Sequence, residues 1–214
     1  MTRFVPERLS ALHRSTPVGD RVRLEQPISY TDQRWADVVC GAGFASDGER
    51  LWSLADSVRP RMRLLMSGLN PSPASADAGV GFARPGNRFW PAMLAAGLAT
   101  IDRDPQALIR DHGVGMTDLV KRTTRRADEL TSDEFVDGLA RVDRLVQWLE
   151  PRAVCFVGLA GWRQAIDKRA KPGWQEQTIG GRPAYLMPST SGLNASSQLP
   201  DLVAHLRKAS APSA

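Results

Sequence analysis

The chain has 214 residues, 42% of them hydrophobic and 24% charged, with a formal net charge of +5. That length suits one domain with one substantial core and a modest appendage. No run of 18 apolar residues occurs, and Met1 to Leu12 mixes Arg3, Glu7 and Arg8 with too few apolar residues for a signal peptide. The expectation is a soluble, cytoplasmic, monomeric protein that contacts no membrane.

Only two cysteines are present, Cys40 and Cys155, and the latter sits inside the apolar run Ala153 to Val157, where a cysteine is usually a small buried hydrophobe. Together with three scattered histidines (His13, His112, His205) they do not make up the three or four ligands of a thiolate-held metal or cluster. No metal and no cofactor are expected. The positive charge tilts the balance toward an anionic partner. It is clustered at Arg59, Arg61 and Arg63 before one strand candidate and at Lys121, Arg122, Arg125 and Arg126 after another. Such clusters are either solvated surface or, if the two loops share one end of a sheet, a docking face for polyanions.

Residues 1–58 form a polar N-terminal extension with Pro6, Pro17 and Pro27 and a helix candidate from Thr31 to Val39; its role is not legible. A main domain spans residues 59–209, and residues 210–214 are an Ala/Ser-rich tail. From Arg63 strands and helices alternate. Arg63 to Gly68 is a short apolar strand, and Arg88 to Leu98 a helix weakened near Gly97. Gly115 to Val120 is a strand or strand end. Thr131 and Glu134 have capping-box spacing at the head of a helix over Ser132 to Glu150, which Pro151 stops. Arg152 to Val157 is a buried strand, Ala160 to Arg169 a helix, Ala184 to Met187 a strand and Asp201 to Lys208 a closing helix. Strands separated by helices imply a three-layer α/β/α sandwich on a mostly parallel sheet.

In such a sheet the crevice lies at the carboxyl ends of the strands, so the loops after Leu69, Val120 and Met187 should converge. They carry Asn70 with Ser72, Lys121 with Arg122, and Ser189-Thr190-Ser191-Gly192-Leu193-Asn194. Alone, Asn70 before Pro71 reads as an Asx-turn residue, Phe82 as core, and the serine loop as an ordinary turn. A loop-tip Leu193 between Gly192 and Asn194 has little reason to be there for packing. Asp118 is either a structural cap, a partner for Lys121 or Arg122, or a carboxylate that reaches the crevice.

Three segments in order, Gly68 to Ser72 with Pro85 to Trp90, Gly115 to Thr124, and Met187 to Asn194, resemble the mismatch-specific uracil/thymine DNA glycosylase family of the uracil-DNA glycosylase superfamily. The resemblance spans about Asp56 to Lys208. It implies a monofunctional DNA glycosylase acting on double-stranded DNA with a mispaired or damaged pyrimidine, which would place a bacterial protein with the nucleoid. The nucleotide is flipped out of the stack and water attacks the sugar as the base departs. By that resemblance Asn70 positions the water, Phe82 stacks on the base, and Leu69, Ser72, Ser75, Ser189 and Ser191 line the base and sugar site. Leu193 wedges into the vacated stack, with Gly192, Asn194, Lys121 and Arg122 on the DNA backbone. Asp118 is a second water-activating candidate and a stronger base than an amide.

Ser72 replaces the family's usual second glycine and narrows the mouth. Ala195 stands where some relatives carry an arginine toward the opposite guanine. The last loop lacks the histidine of the fast uracil-specific branch, which implies a slower enzyme dependent on a good leaving group. No lysine is expected to act as a Schiff-base nucleophile. Two other classes compete with this reading. One is a mismatch- or damage-binding module of the same fold with weak or no catalysis. The other, a nucleotide-binding α/β enzyme, is disfavoured because no Gly-rich phosphate loop comes after a strand.

Overall fold

The computed structural model describes residues 4–211; residues 1–3 and 212–214, parts of the N-terminal extension and of the Ala/Ser-rich tail, lie outside them. Five strands, β1 (Leu64–Gly68), β2 (Val114–Asp118), β3 (Val154–Val157), β4 (Gly173–Trp174) and β5 (Ala184–Met187), form one sheet in the order β2-β1-β3-β5-β4. The first four in that order are mutually parallel, and the two-residue β4 pairs antiparallel with β5 at the far edge.

Eight α-helices surround the sheet among the described residues: α1 (Val5–Ser15), α2 (Asp32–Gly41), α3 (Pro73–Ala78), α4 (Phe89–Ala96), α5 (Pro105–His112), α6 (Ser132–Leu149), α7 (Ala160–Ala165) and α8 (Leu199–Ala209). The strand period of two splits the apolar residues between two cores. Leu65, Val154, Phe156, Ala184 and Leu186 meet Phe135, Val142, Val146 and Leu149 of α6 and Trp162 of α7. Leu64, Met66, Cys155, Tyr185 and Met187 meet Phe89 and Met93 of α4 and Leu202 and Leu206 of α8. Both faces are covered, as a parallel sheet requires, and the expected three-layer α/β/α sandwich is observed. No helix among the described residues is long and apolar enough to cross a membrane.

The best-read helix is α6, where Thr131 and Glu134 exchange the reciprocal capping-box bonds. Gly97, expected to weaken α4, terminates it in the left-handed conformation at φ 74°. Helices α1, α3 and α5 were not foreseen. Each carries a proline in its first turn, where the missing N–H costs nothing, and Ser72 and Asp104 cap the latter two. Strand β2 ends at Asp118, two residues before the expected Val120, and α7 ends at Ala165 rather than Arg169.

The parallel topology corrects one expectation about charge. The segment entering β1 and the segment leaving β2 lie at opposite ends of the sheet, so Arg59, Arg61 and Arg63 do not join the Lys121 to Arg126 segment on one face. The edge of β2 is instead covered from the N-terminal side. Ser57 bridges Met116 in antiparallel fashion, and a small separate core of Leu9, Val38, Val39, Ala42 and Phe44 ties α1 to α2.

Candidate active site

The loops after β1, β2 and β5 converge at the carboxyl ends of their strands, and a cleft of about 200 Å³ opens between them. Its lining includes Leu69, Asn70, Ser72, Phe82, Asp118 and Ser189. Next to it, sharing Leu54, Gly81, Phe82 and Asp118, lies a larger cavity of about 460 Å³ walled by α1, the segment over Leu54 to Ser57, and the loop after α3.

Asn70 is fixed by its surroundings. Its Nδ2 donates to the Arg122 carbonyl at 2.9 Å and to Thr124 Oγ1 at 2.8 Å, with Pro71 O at 3.3 Å. Thr124 donates its own hydroxyl proton to Arg126 O at 2.8 Å, so toward Asn70 it can only accept. The NH2 group must therefore face that loop, which settles the amide orientation. No donor among the described residues reaches Oδ1, and a locked amide oxygen is left on the side of the cleft.

Phe82 has a positive φ of 60°, a conformation costing a non-glycine residue roughly 1 kcal/mol or more. Three contacts hold it there. Its ring stacks on Phe89 at 4.0 Å and 14°, Ala83 N–H donates to Ser75 Oγ at 3.2 Å, and Trp90 Nε1 donates to Gly81 O at 2.9 Å. One ring face is thus spent on Phe89 while the residue still lines both cavities.

Asp118 stands opposite Gly68 in the β1–β2 register, deeper than Asn70. A β-carbon at Gly68 would collide with Asp118 Oδ1 and touch Phe82 Cζ, so the glycine is what lets carboxyl and ring approach. Neither Lys121 nor Arg122 pairs with the Asp118 side chain. Thr117 and Arg141 bond only its main-chain carbonyl, the latter at 2.7 Å, and its carboxyl is left without an ion pair among the described residues. Burial, opposed by Lys121 and reinforced by Asp56, raises this carboxyl to about 6.

The expected role of Lys121 on DNA does not survive the structure. Its side chain is buried, and Nζ pairs with Asp56 Oδ1 at 2.8 Å, while Arg141 Nη1 takes Asp56 Oδ2 at 2.9 Å and Thr117 donates to Oδ1 at 2.7 Å. Burial costs the Asp56 carboxylate, but the two cations and the hydroxyl hold it below its ordinary range. Arg122 is exposed yet engaged with both oxygens of Glu134 at 2.7 and 2.8 Å. That pairing, with Glu134's own cap on α6, brings the glutamate down to about 2.

The last loop is built largely by hydrogen bonds to itself. Ser189 Oγ accepts from Ser191 N–H and Ser191 Oγ from Leu193 N–H, while Asn194 Nδ2 donates to Ser189 O at 2.8 Å. These side chains shape the turn, and Leu193 at its tip is 81% exposed. Ser75 is likewise buried and holds the Phe82 loop rather than facing the cleft openly, and Ser72 caps α3, which accounts for serine where the resemblance implied glycine.

Sequence reasoning passed over Arg88. From the head of α4 it donates Nη2 to Ser191 O at 2.9 Å and to Asn194 O at 2.6 Å, and Nη1 to Ser197 O. Its own N–H donates to Thr190 O at 2.9 Å. One guanidinium therefore fastens the whole Leu193 loop to the head of α4. The motif that contains it was visible; a carbonyl-binding role leaves no mark on sequence.

The architecture and this cleft define a class: an α/β/α sandwich with a fixed amide in the cleft and an exposed leucine on a clamped loop. Residues 55–210 match the model of the uracil DNA glycosylase superfamily, and the chain belongs to that superfamily. A similar solved structure is the solution NMR structure of a "putative Uracil DNA glycosylase" from Methanosarcina acetivorans. It is 20% identical with a TM-score of 0.50, over 72% of this chain and 95% of that one, a likeness of fold.

Proposed function

We propose that this protein is a monofunctional DNA glycosylase that hydrolyses the bond between deoxyribose and uracil mispaired with guanine, with thymine or other damaged pyrimidines as further candidates. The observation that carries the reading is the Asn70 amide, locked by Arg122 O and Thr124 with its oxygen free. An amide is a feeble base, so Asn70 acts by holding water against the sugar carbon and by placing a negative dipole beside the oxocarbenium-like transition state.

For Asn70 to meet the sugar, the target nucleotide must leave the duplex stack. Leu193, exposed on a loop that Arg88 holds rigid, is suited to fill the vacated space. The flipped pyrimidine then enters between the two loops and lies against the free side of Phe82.

The depth of Asp118 supports a role at the base rather than at the water. As a carboxylate it accepts from a ring N–H, and once protonated it donates to a ring carbonyl that gains charge as the base leaves. Lys121, in the loop after β2, is held by Asp56, which takes it out of Schiff-base chemistry and supports simple hydrolysis.

The test is a panel of duplexes with uracil or thymine opposite guanine or adenine, treated with alkali after incubation. Strand scission at uracil opposite guanine is expected. Binding without scission on every duplex would replace the enzyme with a mismatch-binding module.

A further inference from the structure

The segment Leu51 to Leu54, in the N-terminal part of the chain, closes a ring of contacts around Asn70. Ser53 Oγ donates to Lys121 O at 2.6 Å, and Thr123 Oγ1 donates to Trp52 O at 2.6 Å. The same short stretch, residues 121–124, is gripped from its other side by the Asn70 amide at Arg122 O and Thr124 Oγ1. Trp52 then reaches across, its Nε1 donating at 2.8 Å to Asp77 Oδ1 on α3, the helix that begins just after Asn70. Leu54, two residues on, is a wall of both cavities.

Within this clasp the indole is held but not covered. Trp52 is 43% exposed, although its only polar side-chain atom is already satisfied by Asp77. A tryptophan whose N–H is internally bonded and whose carbonyl is pinned offers solvent a rigid π face that loses little freedom on binding. Buried tryptophans elsewhere in the chain, Trp90 and Trp162, serve the cores. Trp52 belongs to none of the cores and lines neither cavity; its exposed ring is tied to the two segments that flank Asn70, residues 121–124 and α3.

We propose that Trp52 is a DNA-contacting residue that stacks on a nucleobase flanking the flipped nucleotide, so that the N-terminal segment supplies one side of the DNA interface. The proposal rests on the glycosylase reading, since a duplex that delivers a nucleotide to Asn70 must approach residues 121–124 and α3, the segments to which Trp52 is bonded. Stacking on an aromatic face tolerates any base, so Trp52 adds affinity without adding sequence preference. Asp77 acts as its positioning residue.

The test uses the full chain and a uracil-containing duplex, with affinity read by anisotropy and excision read in parallel. Trp52→Ala is expected to weaken binding by about 5- to 100-fold. Trp52→Phe, which keeps a ring but loses the bond to Asp77, should retain most of the affinity. Asp77→Ala should fall between them. Trp174→Phe, on the opposite edge of the sheet, is the control and should change nothing. Unaltered thermal melting of Trp52→Ala confirms that the fold is intact, because the Ser53 and Thr123 bonds are independent of the indole. Trp52→Ala binding as tightly as the parent overturns the proposal, and so does equal weakening by Trp52→Phe and Trp174→Phe. A parent chain that binds DNA but does not excise refutes the enzyme reading while leaving the Trp52 comparison decisive. A parent chain that binds no DNA refutes both.

Discussion

Asp118→Asn should make the protein more stable at neutral pH while damaging its chemistry. The carboxyl has an ordinary value of 3.8 and stands at about 6 in the fold, chiefly because burial disfavours its charged form. That displacement is worth about 3 kcal/mol between the two protonation states. Because the folded-state value lies above the unfolded one, the favourable contribution is fully present below about pH 4 and is lost as pH rises through about 6. At pH 8 the parent fold carries a charge that it would rather not hold, and the neutral amide relieves it. His13 titrates in the opposite sense over the same range. Burial, aided by Arg50 and Lys121, lowers it to about 4, so its contribution is full above about 6.5 and is lost as pH falls through about 4. The parent's own pH curve therefore mixes opposed contributions, with Glu134 and Asp56 adding to that of His13, but these groups are common to parent and variant and cancel in their difference. Urea unfolding at pH 4 and pH 8 measures that difference. The pH 4 value reports packing of a neutral group against a neutral group, and the change to pH 8 reports the charge. We expect the variant to gain about 3 kcal/mol relative to the parent between the two pH values. A difference that stays flat with pH would refute the buried, unpaired carboxylate.

The same geometry carries four further expected outcomes. Arg88→Lys should cost about 2 kcal/mol or more in urea unfolding, because an ammonium cannot reproduce a fork that serves three carbonyls, and excision from duplex should fall with it. Leu193→Ala should leave melting unchanged, since the side chain is exposed, yet slow excision from duplex more than from single strands, where no stack needs filling. Lys121→Ala should destabilise by roughly 3 to 5 kcal/mol by stranding Asp56, without altering the salt dependence of DNA binding. Arg125→Ala, which removes an exposed cation, should reduce that salt slope by about one.

The sheet and its flanking helices were legible because their residues obey one period each. Alternation put Leu65 and Met66 on opposite faces, and the 3.6 period with a Thr131–Glu134 box defined α6 to within a residue. The three missed helices were hidden by proline, which reads as loop punctuation although the first helical turn accommodates it. Asn70 could be singled out only by the resemblance of its motif, and Leu193 also because a leucine at a loop tip is odd for packing. What could not be read was which polar group each charge would choose. Lys121 comes after a strand, beside Asp118 and Arg122, and nothing local indicates that it turns inward to Asp56, more than sixty residues earlier. Asp56, Arg141 and Thr117 come together only when α6 and the N-terminal segment close on β2. Arg88 was visible as part of a motif but not as a clamp, because its partners are backbone carbonyls that any sequence supplies. The same limit hid Trp52, whose meaning depends on a neighbour in α3.

The central claim is that a locked Asn70 amide oxygen presents water to the sugar of a flipped deoxyuridine. Single-turnover excision from a duplex with uracil opposite guanine, comparing the parent with Asn70→Ala at saturating enzyme, tests it most directly. Scission by the parent is expected, with a loss of about 100-fold or more in the variant's rate and DNA affinity nearly unchanged. A variant that excises at the parent's rate would contradict the claim.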